Sequence, residues 1–372
     1  MFRVAVLLLI SDMSMKNNLK LKPIGIGSLP HNNAEDAFCV VEKDFSQIPF
    51  SPQLANLSRN EDMMVQFLEG LPSFSFDNAS QFVLDSENEE FLVGLEDFFN
   101  NYEEIIADIN SPLLEKYAIT EKSSSTFKKF ENFIENNKPS YAKGQIVGAF
   151  TLCTSLKDQN GRAVIYDDTL RDIIVKLLSL KALWQIKRIK AANKETTPII
   201  FMDEPSVSQI GSSAYITVSV QEVINMIDEI SKIIRNNGGL SAIHCCGKCD
   251  WRIPVKANAD IINFDAYNYS QNFVVYHREI SKFLNNGGKI AWGFVPTSDG
   301  EILKNLSVDI LEDKFKNCVK YLTDNGINEK LIIDNSIITS SCGAGGLSVN
   351  DAQKAMDLVK ELSDRLIERN KF

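Results

Sequence analysis

Three of the chain's seven cysteines and one of its three histidines fall within the stretch SAIHCCGKCDW, residues 241–251. Imidazole nitrogens and thiolates are ligands that zinc prefers. If 240–245 is a strand, His244 and Cys246 face one side and Cys245 the other, because side chains alternate along a strand. Residue type alone leaves four readings open. The cysteines are buried bystanders, as cysteine often is. Or Cys246 and Cys249 are a redox pair, although no thioredoxin-like pattern surrounds them. Or the stretch is half a zinc ribbon, but the chain holds no second C-x-x-C to complete it. Or it is part of a catalytic metal centre gathered from several strand ends, with Asp265 in IINFDAY and Cys342 in SSCGAGG as further ligands.

That last reading needs a scaffold that brings residues 244, 246, 265 and 342 together. Eight apolar runs read as strands: 23–28, 72–76, 145–152, 198–204, 240–245, 260–266, 289–295 and 331–342. Most are continuously hydrophobic, as expected of parallel strands covered on both faces. Amphipathic helical patterns lie between them, the longest being DTLRDIIVKLLSLKALWQIKRIKAAN. SVNDAQ opens another with Ser348 and Asp351 three apart, a variant of the capping box. The expected fold class is therefore α/β, a (β/α)8 TIM barrel over residues 22–372, with an acidic helical insertion at about 80–140. Residues 1–21 read as a ragged N-terminus, with Met13 or Met15 as alternative starts. Barrel enzymes place their chemistry at the C-terminal ends of the strands, where His244, Cys246, Asp265 and Cys342 all fall. A dinucleotide site is excluded at GIGSLP: Pro30 stands where helix should continue, and no third glycine follows.

Composition narrows the partners. The chain has 372 residues, a formal charge of −10 and 44% apolar residues. A sizeable core is affordable, and a nucleic-acid partner is not expected without a basic stripe. FRVAVLLLI near the start is too short to span a bilayer and lacks a small-residue cleavage site, so no membrane association is expected. An odd number of scattered cysteines is no disulfide framework, which points to a reducing, cytoplasmic setting.

At these same residues the chain resembles the catalytic barrel of cobalamin-independent methionine synthase. That family shares a superfamily with uroporphyrinogen decarboxylase and the methylcobamide:coenzyme M methyltransferases. HCC, followed by Asp250, resembles the family's H-x-C zinc segment, which implies ligands at His244 and Cys246. ADIINFD is similar to the strand that ends in the family's glutamate ligand, placing Asp265 there, and SCG matches the last zinc cysteine at Cys342. GIGS is similar to the loop that holds the amino-acid substrate's carboxylate, implicating Ile26, Gly27 and Ser28. DEP matches a segment whose aspartate, Asp203 here, binds the substrate amine, and MMVQF puts Gln66 where an amine-binding glutamate would fall. The resemblance covers roughly residues 23–350 and lacks the additional N-terminal barrel of full-length methionine synthases.

The departures shape the expected function. Thr154 stands where the family packs a tryptophan on the pterin; SVSQ follows DEP without the expected acidic residue; GFVPTSDG lacks the family's proton-donating histidine. The resemblance then implies a zinc-dependent S-methyltransferase with a homocysteine-like thiol acceptor. Its donor would be a methylcorrinoid such as methylcobalamin, carried on a corrinoid protein, rather than methyl-folate. The rivals are a uroporphyrinogen decarboxylase-like enzyme, for which PFSPQLANLSRNEDMM offers only Arg59 to grip carboxylates, and a non-catalytic barrel that binds a metal or a corrinoid.

Overall fold

The computed structural model describes residues 19–79 and 82–370. Most of the expected ragged start, with Met13 and Met15, lies outside the described residues. Six parallel strands form one sheet in sequence order: β1 Tyr141–Val147, β2 Thr197–Asp203, β3 Leu240–Cys245, β4 Ile261–Phe264, β5 Lys289–Val295 and β6 Ser336–Ser340. Each connection carries helix, including Asp168–Ala192, Val220–Asn236, Ala266–Val274 and Val308–Asp324, and Val349–Arg369 follows β6. The result is an α/β fold, a curled parallel half-barrel with helices on its outer face. None of its described helices is long and apolar enough to cross a membrane.

Two apolar layers explain the curl. Tyr141, Ile199, Phe201, Ala242, Ile261, Ala291 and Ile337 form a small inner cluster, joined by Leu19, Ile24, Ile26 and Ile48. The alternate strand residues, such as Ala142, Ile200, Ile243, Ile262, Ile290 and Ile338, join the much larger cluster shared with the helices. Both faces of every strand are thus covered, as parallel sheets require.

Of the eight expected strands, six are present among the described residues, and the differences have local reasons. Residues 72–76 form turns: Gly70 and Ser73 both adopt positive φ, and Phe74 packs on Phe76 and Phe82 rather than into a ladder. The run 145–152 divides. β1 stops at Val147, and Gly148 starts the helix Ala149–Ser155, whose N-terminal N–H groups of Phe150 and Thr151 are taken by the Glu204 carboxylate at 3.0 and 2.9 Å. The run 331–342 divides as well, into the helix Glu329–Asp334 capped by Asn328, and β6. Residues 23–28 make isolated parallel bridges only, Pro23 with Ile338 and Ser28 with Gln53, while Phe50 bridges to Lys143. Within 82–140 the chain is mostly helical, with Glu89–Ala107 and Phe127–Asn137.

Candidate metal centre

One register row crosses the sheet through Val147, Asp203, His244, Asn263, Ala291 and Ile337. It sets Asp203, His244 and Asn263 side by side at the C-terminal ends of β2, β3 and β4. Cys246 follows the end of β3 and Cys342 lies two residues beyond β6. The loop carrying Cys342 is fixed by its backbone: Ser341 donates to Val295 O at 2.7 Å, and Cys342 O accepts from Thr297 Oγ1 at 3.1 Å and Ser340 Oγ at 2.8 Å.

His244, Cys246 and Cys342 converge: a ring nitrogen and two Sγ atoms lie within 4.8 Å of one another, which makes them the group of such ligands found among the described residues. Asn263 decides how the imidazole presents itself. Its Nδ2 donates to Ala291 O at 2.9 Å and Thr339 Oγ1 at 2.8 Å, so its Oδ1 faces His244 Nδ1. An oxygen there requires the proton on Nδ1. Nε2 is then the nitrogen left for any further partner, buried and without a hydrogen bond. A buried, unpaired nitrogen is costly unless something binds it, and here it accompanies two thiols. These residues fit a soft divalent cation.

Considered as protein groups alone, the three share protons unevenly. The Cys342 thiol next to Cys246 holds the Cys246 Sγ down at about 4, with help from His244 and against burial. Cys342, hydrogen-bonded to Cys246 and buried, is pushed far up. Burial alone would lower His244, yet the neighbouring Cys246 sulfur and the charge on Asp203 raise it to about 9.

Asp265 does not join the group. Its Oδ1 accepts from the Asn268 backbone N–H at 2.9 Å and its Oδ2 from Asn268 Nδ2 at 2.7 Å, so the carboxylate caps the helix Ala266–Val274. The expected fourth ligand is thus an N-cap in this structure.

The remaining expected residues separate into two sets. Ile26, Ser28 and Asp203 line a cavity of 270 Å³ together with His244, Cys246 and Cys342. Asp203 is fully enclosed, and its Oδ1 has no hydrogen-bond partner. Gly27 sits between them because nothing larger fits: a Cβ there would lie 2.8 Å from Gln145 Oε1 and 2.9 Å from Gln53 Oε1. Gly343 is equally tight, its Cβ position being 2.1 Å from Ser28 Oγ, which seats the Ser28 loop against the Cys342 loop. Gln66 is the exception. It is buried away from the cavity, donating to Ser123 O at 2.6 Å and accepting from Gln53 Nε2 at 2.9 Å. The glutamine that lines the cavity is Gln53. Sequence reading passed over Gln53 because Pro49 and Pro52 disguise its segment. Thr154 is likewise away from the cavity, on the helix Ala149–Ser155.

No family model matches the chain, and no curated protein matches it. Among solved structures, a Cellulomonas fimi endo-beta-1,4-mannanase double mutant superposes with a TM-score of 0.39 at 14% identity, over 68% of this chain and 61% of that chain.

Proposed function

We propose that this chain is a zinc-dependent methyltransferase that moves a methyl group from a methylcorrinoid to a thiol of the homocysteine type. The observation that carries the reading is the meeting of His244, Cys246 and Cys342 within 4.8 Å in a cavity that Asp203 and Ser28 also line. Zinc bonds to sulfur and nitrogen put tetrahedral ligands about 3.5–3.8 Å apart, so the trio needs to contract only about an ångström. Three protein ligands suit catalysis, because catalytic zinc sites keep a fourth position for substrate. A bound zinc ion would supply one thing: it would hold the acceptor thiol as thiolate at neutral pH.

The chain's own residues do the rest. Asn263 keeps the imidazole proton on Nδ1 and thereby aims Nε2. Asp203, with a free oxygen, would take the acceptor's ammonium, and the Ile26–Ser28 loop its carboxylate, which is orientation rather than bond-making. Among the described residues no phenylalanine, tyrosine or tryptophan lines the cavity, which leaves no such ring to stack on a pterin and favours the corrinoid as donor. Among the described residues no arginine or lysine lines it either, so they offer a polycarboxylate tetrapyrrole no cationic grip, which disfavours a decarboxylase. We infer also that residues 22–28 and 49–53 fill two further positions of an eight-position ring between β6 and β1; the bridges Pro23–Ile338, Ser28–Gln53 and Phe50–Lys143 support it.

The test is metal content and turnover. The purified protein is expected to carry about one zinc per chain and to methylate homocysteine from methylcobalamin. Cys342→Ala should lose the metal and at least ~100-fold in activity, since ligand loss removes the activated nucleophile. A wild-type protein that binds no zinc from micromolar solution would overturn the reading.

A further inference from the structure

Below the metal centre the inner face of the sheet holds a cation that the proposed chemistry does not use. Lys143 is the third residue of β1 and is 0% exposed. An ammonium is strongly disfavoured in a protein interior unless its protons and charge are matched. Its Nζ donates to the Ile26 carbonyl and to Gln145 Oε1. The same group lies 4.9 Å from the centre of the Phe201 ring and 5.8 Å from that of Phe50, within cation–π range. Gln145 is held in turn, its Nε2 donating to Ser51 O at 3.2 Å and its backbone clamped by Gln185. Lys143 is therefore anchored from below, and above it the partner is the loop that lines the cavity.

In that loop every carbonyl is engaged: Ile26 O by Lys143, Gly27 O by Gln53 N at 3.2 Å, and Ser28 O by Ala344 N at 2.8 Å. What the loop has left to offer a ligand is donors, and a run of donors over a buried cation attracts an anion. We propose that Lys143 is a positioning residue: pinned beneath residues 26–28, it draws the Ile26 carbonyl away from the cavity and supplies the positive potential with which that loop holds a ligand's carboxylate beside the metal centre. Its charge persists at neutral pH, because burial lowers it only to about 8, against the pull of Asp203. The inference rests on the acceptor reading above for the identity of the carboxylate, though not for the role of the lysine.

The experiment compares Lys143→Met and Lys143→Gln with Lys181→Met. Lys181 is equally buried, donates to Ala118 O at 2.9 Å from the helix Asp168–Ala192, and has no part in the cavity. On protein stripped of metal, acetate binding is followed by line broadening of [13C]acetate. Wild type and K181M should bind acetate alike, and both Lys143 variants at least ~10-fold more weakly. On cobalt-loaded protein, 3-mercaptopropionate and ethanethiol are titrated through the sulfur-to-cobalt charge-transfer band. The Lys143 variants should lose at least ~10-fold for the first thiol and keep the second within ~2-fold. Equal losses for both thiols, losses shared by K181M, or no acetate binding by wild type would each overturn the proposal. Failure of wild type to take up cobalt would instead defeat the metal reading, and the acetate series would still decide for or against Lys143.

Discussion

His244 is pulled three ways: burial favours the neutral ring, while Cys246 and Asp203 favour the cation and prevail. Cys342 keeps its proton because Cys246 has already lost one next to it. A cation entering the trio must displace the protons that remain, since only neutral imidazole and thiolate bind metal. At neutral pH that is one from His244 and one from Cys342, so zinc loading should release about two protons, measured calorimetrically in buffers of different ionisation enthalpy. Zinc affinity should accordingly weaken as pH falls from 9, where His244 begins to compete. Proton release near zero would show that the trio is not the binding site. Asn263→Ala removes the group that fixes the Nδ1 proton and should cost ~10–100-fold in zinc affinity, the usual penalty for losing a ligand's orienting partner, read by competition with a chromophoric chelator. The meeting of these three side chains was legible in the sequence because strand alternation pairs residues 244 and 246, and Cys342 follows an apolar run. Asp265 was not, because an aspartate between a strand and a helix is equally suited to ligate or to cap, and the backbone N–H of Asn268 won it. Gln66 and Gln53 hydrogen-bond to each other, and no pattern in the chain says which of two bonded glutamines faces a cavity.

At the scale of elements, the junction after β1 is fixed by one buried carboxylate. Gly148 packs so closely that an added Cβ would lie 2.0 Å from Cδ of Glu204. That carboxylate, fully buried and pushed up to about 7 by burial, accepts from Phe150 N, Thr151 N and Thr151 Oγ1 and so ties the helix Ala149–Ser155 to the end of β2. Gly148→Ala has no φ penalty to meet, since φ is −75°; its whole effect is overpacking, expected to cost ~1–3 kcal/mol in urea unfolding. A loss under about 0.5 kcal/mol would mean that Glu204 swings aside at no cost and that its three hydrogen bonds are dispensable. The same junction shows where sequence reading fell short. QIVGAFTL is uniformly apolar, and a buried strand and a buried short helix look alike without a period to separate them; only Glu204, more than 50 residues later, ends the strand. The opposite error occurred at 72–76, where alternating phenylalanine and serine imitate a half-buried strand but Gly70 and Ser73 turn the chain with positive φ. The long helices were plainly legible, because caps such as Asp167, Ser219 and Ser348 act within their own turn.

The molecule as a whole carries a formal charge of −10, yet among the described residues two lysines are completely buried, Lys143 and Lys181. Neither was legible: a lysine in an amphipathic or strand pattern reads as surface, and only the packing of distant segments reveals otherwise. Pro49 and Pro52 hide the neighbouring segment in the same way, because proline argues against a central strand and the segment indeed makes only isolated bridges. The buried lysines have a consequence for global stability. Burial lowers Lys181 to about 7, against the charge of Glu69, whereas in the unfolded chain a lysine titrates near 10.4. Between those values the unfolded state binds the extra proton, so stability must rise with pH; below 7 both states hold it and the penalty is constant. Lys143 acts in the same direction from about 8 upward. Above about pH 9 buried acids oppose them, since burial raises the Cys153 and Cys318 thiols and holds their protons in the folded state alone. His244, raised to about 9, opposes them from lower pH, but every group other than Lys181 cancels when variant and wild type are compared, and pH 7 to 9 is where that difference changes most. Lys181→Met removes the titration while keeping most of the side chain's bulk, so its stability relative to wild type should be most favourable at pH 6.5 and should decline by roughly 2 kcal/mol by pH 9, as one proton's linkage over that interval requires. Parallel urea titrations of the two proteins across this range measure the gap directly. A difference that does not change with pH would show that Lys181 titrates in the folded protein as it does in the unfolded one, and that its burial is not what sets its charge.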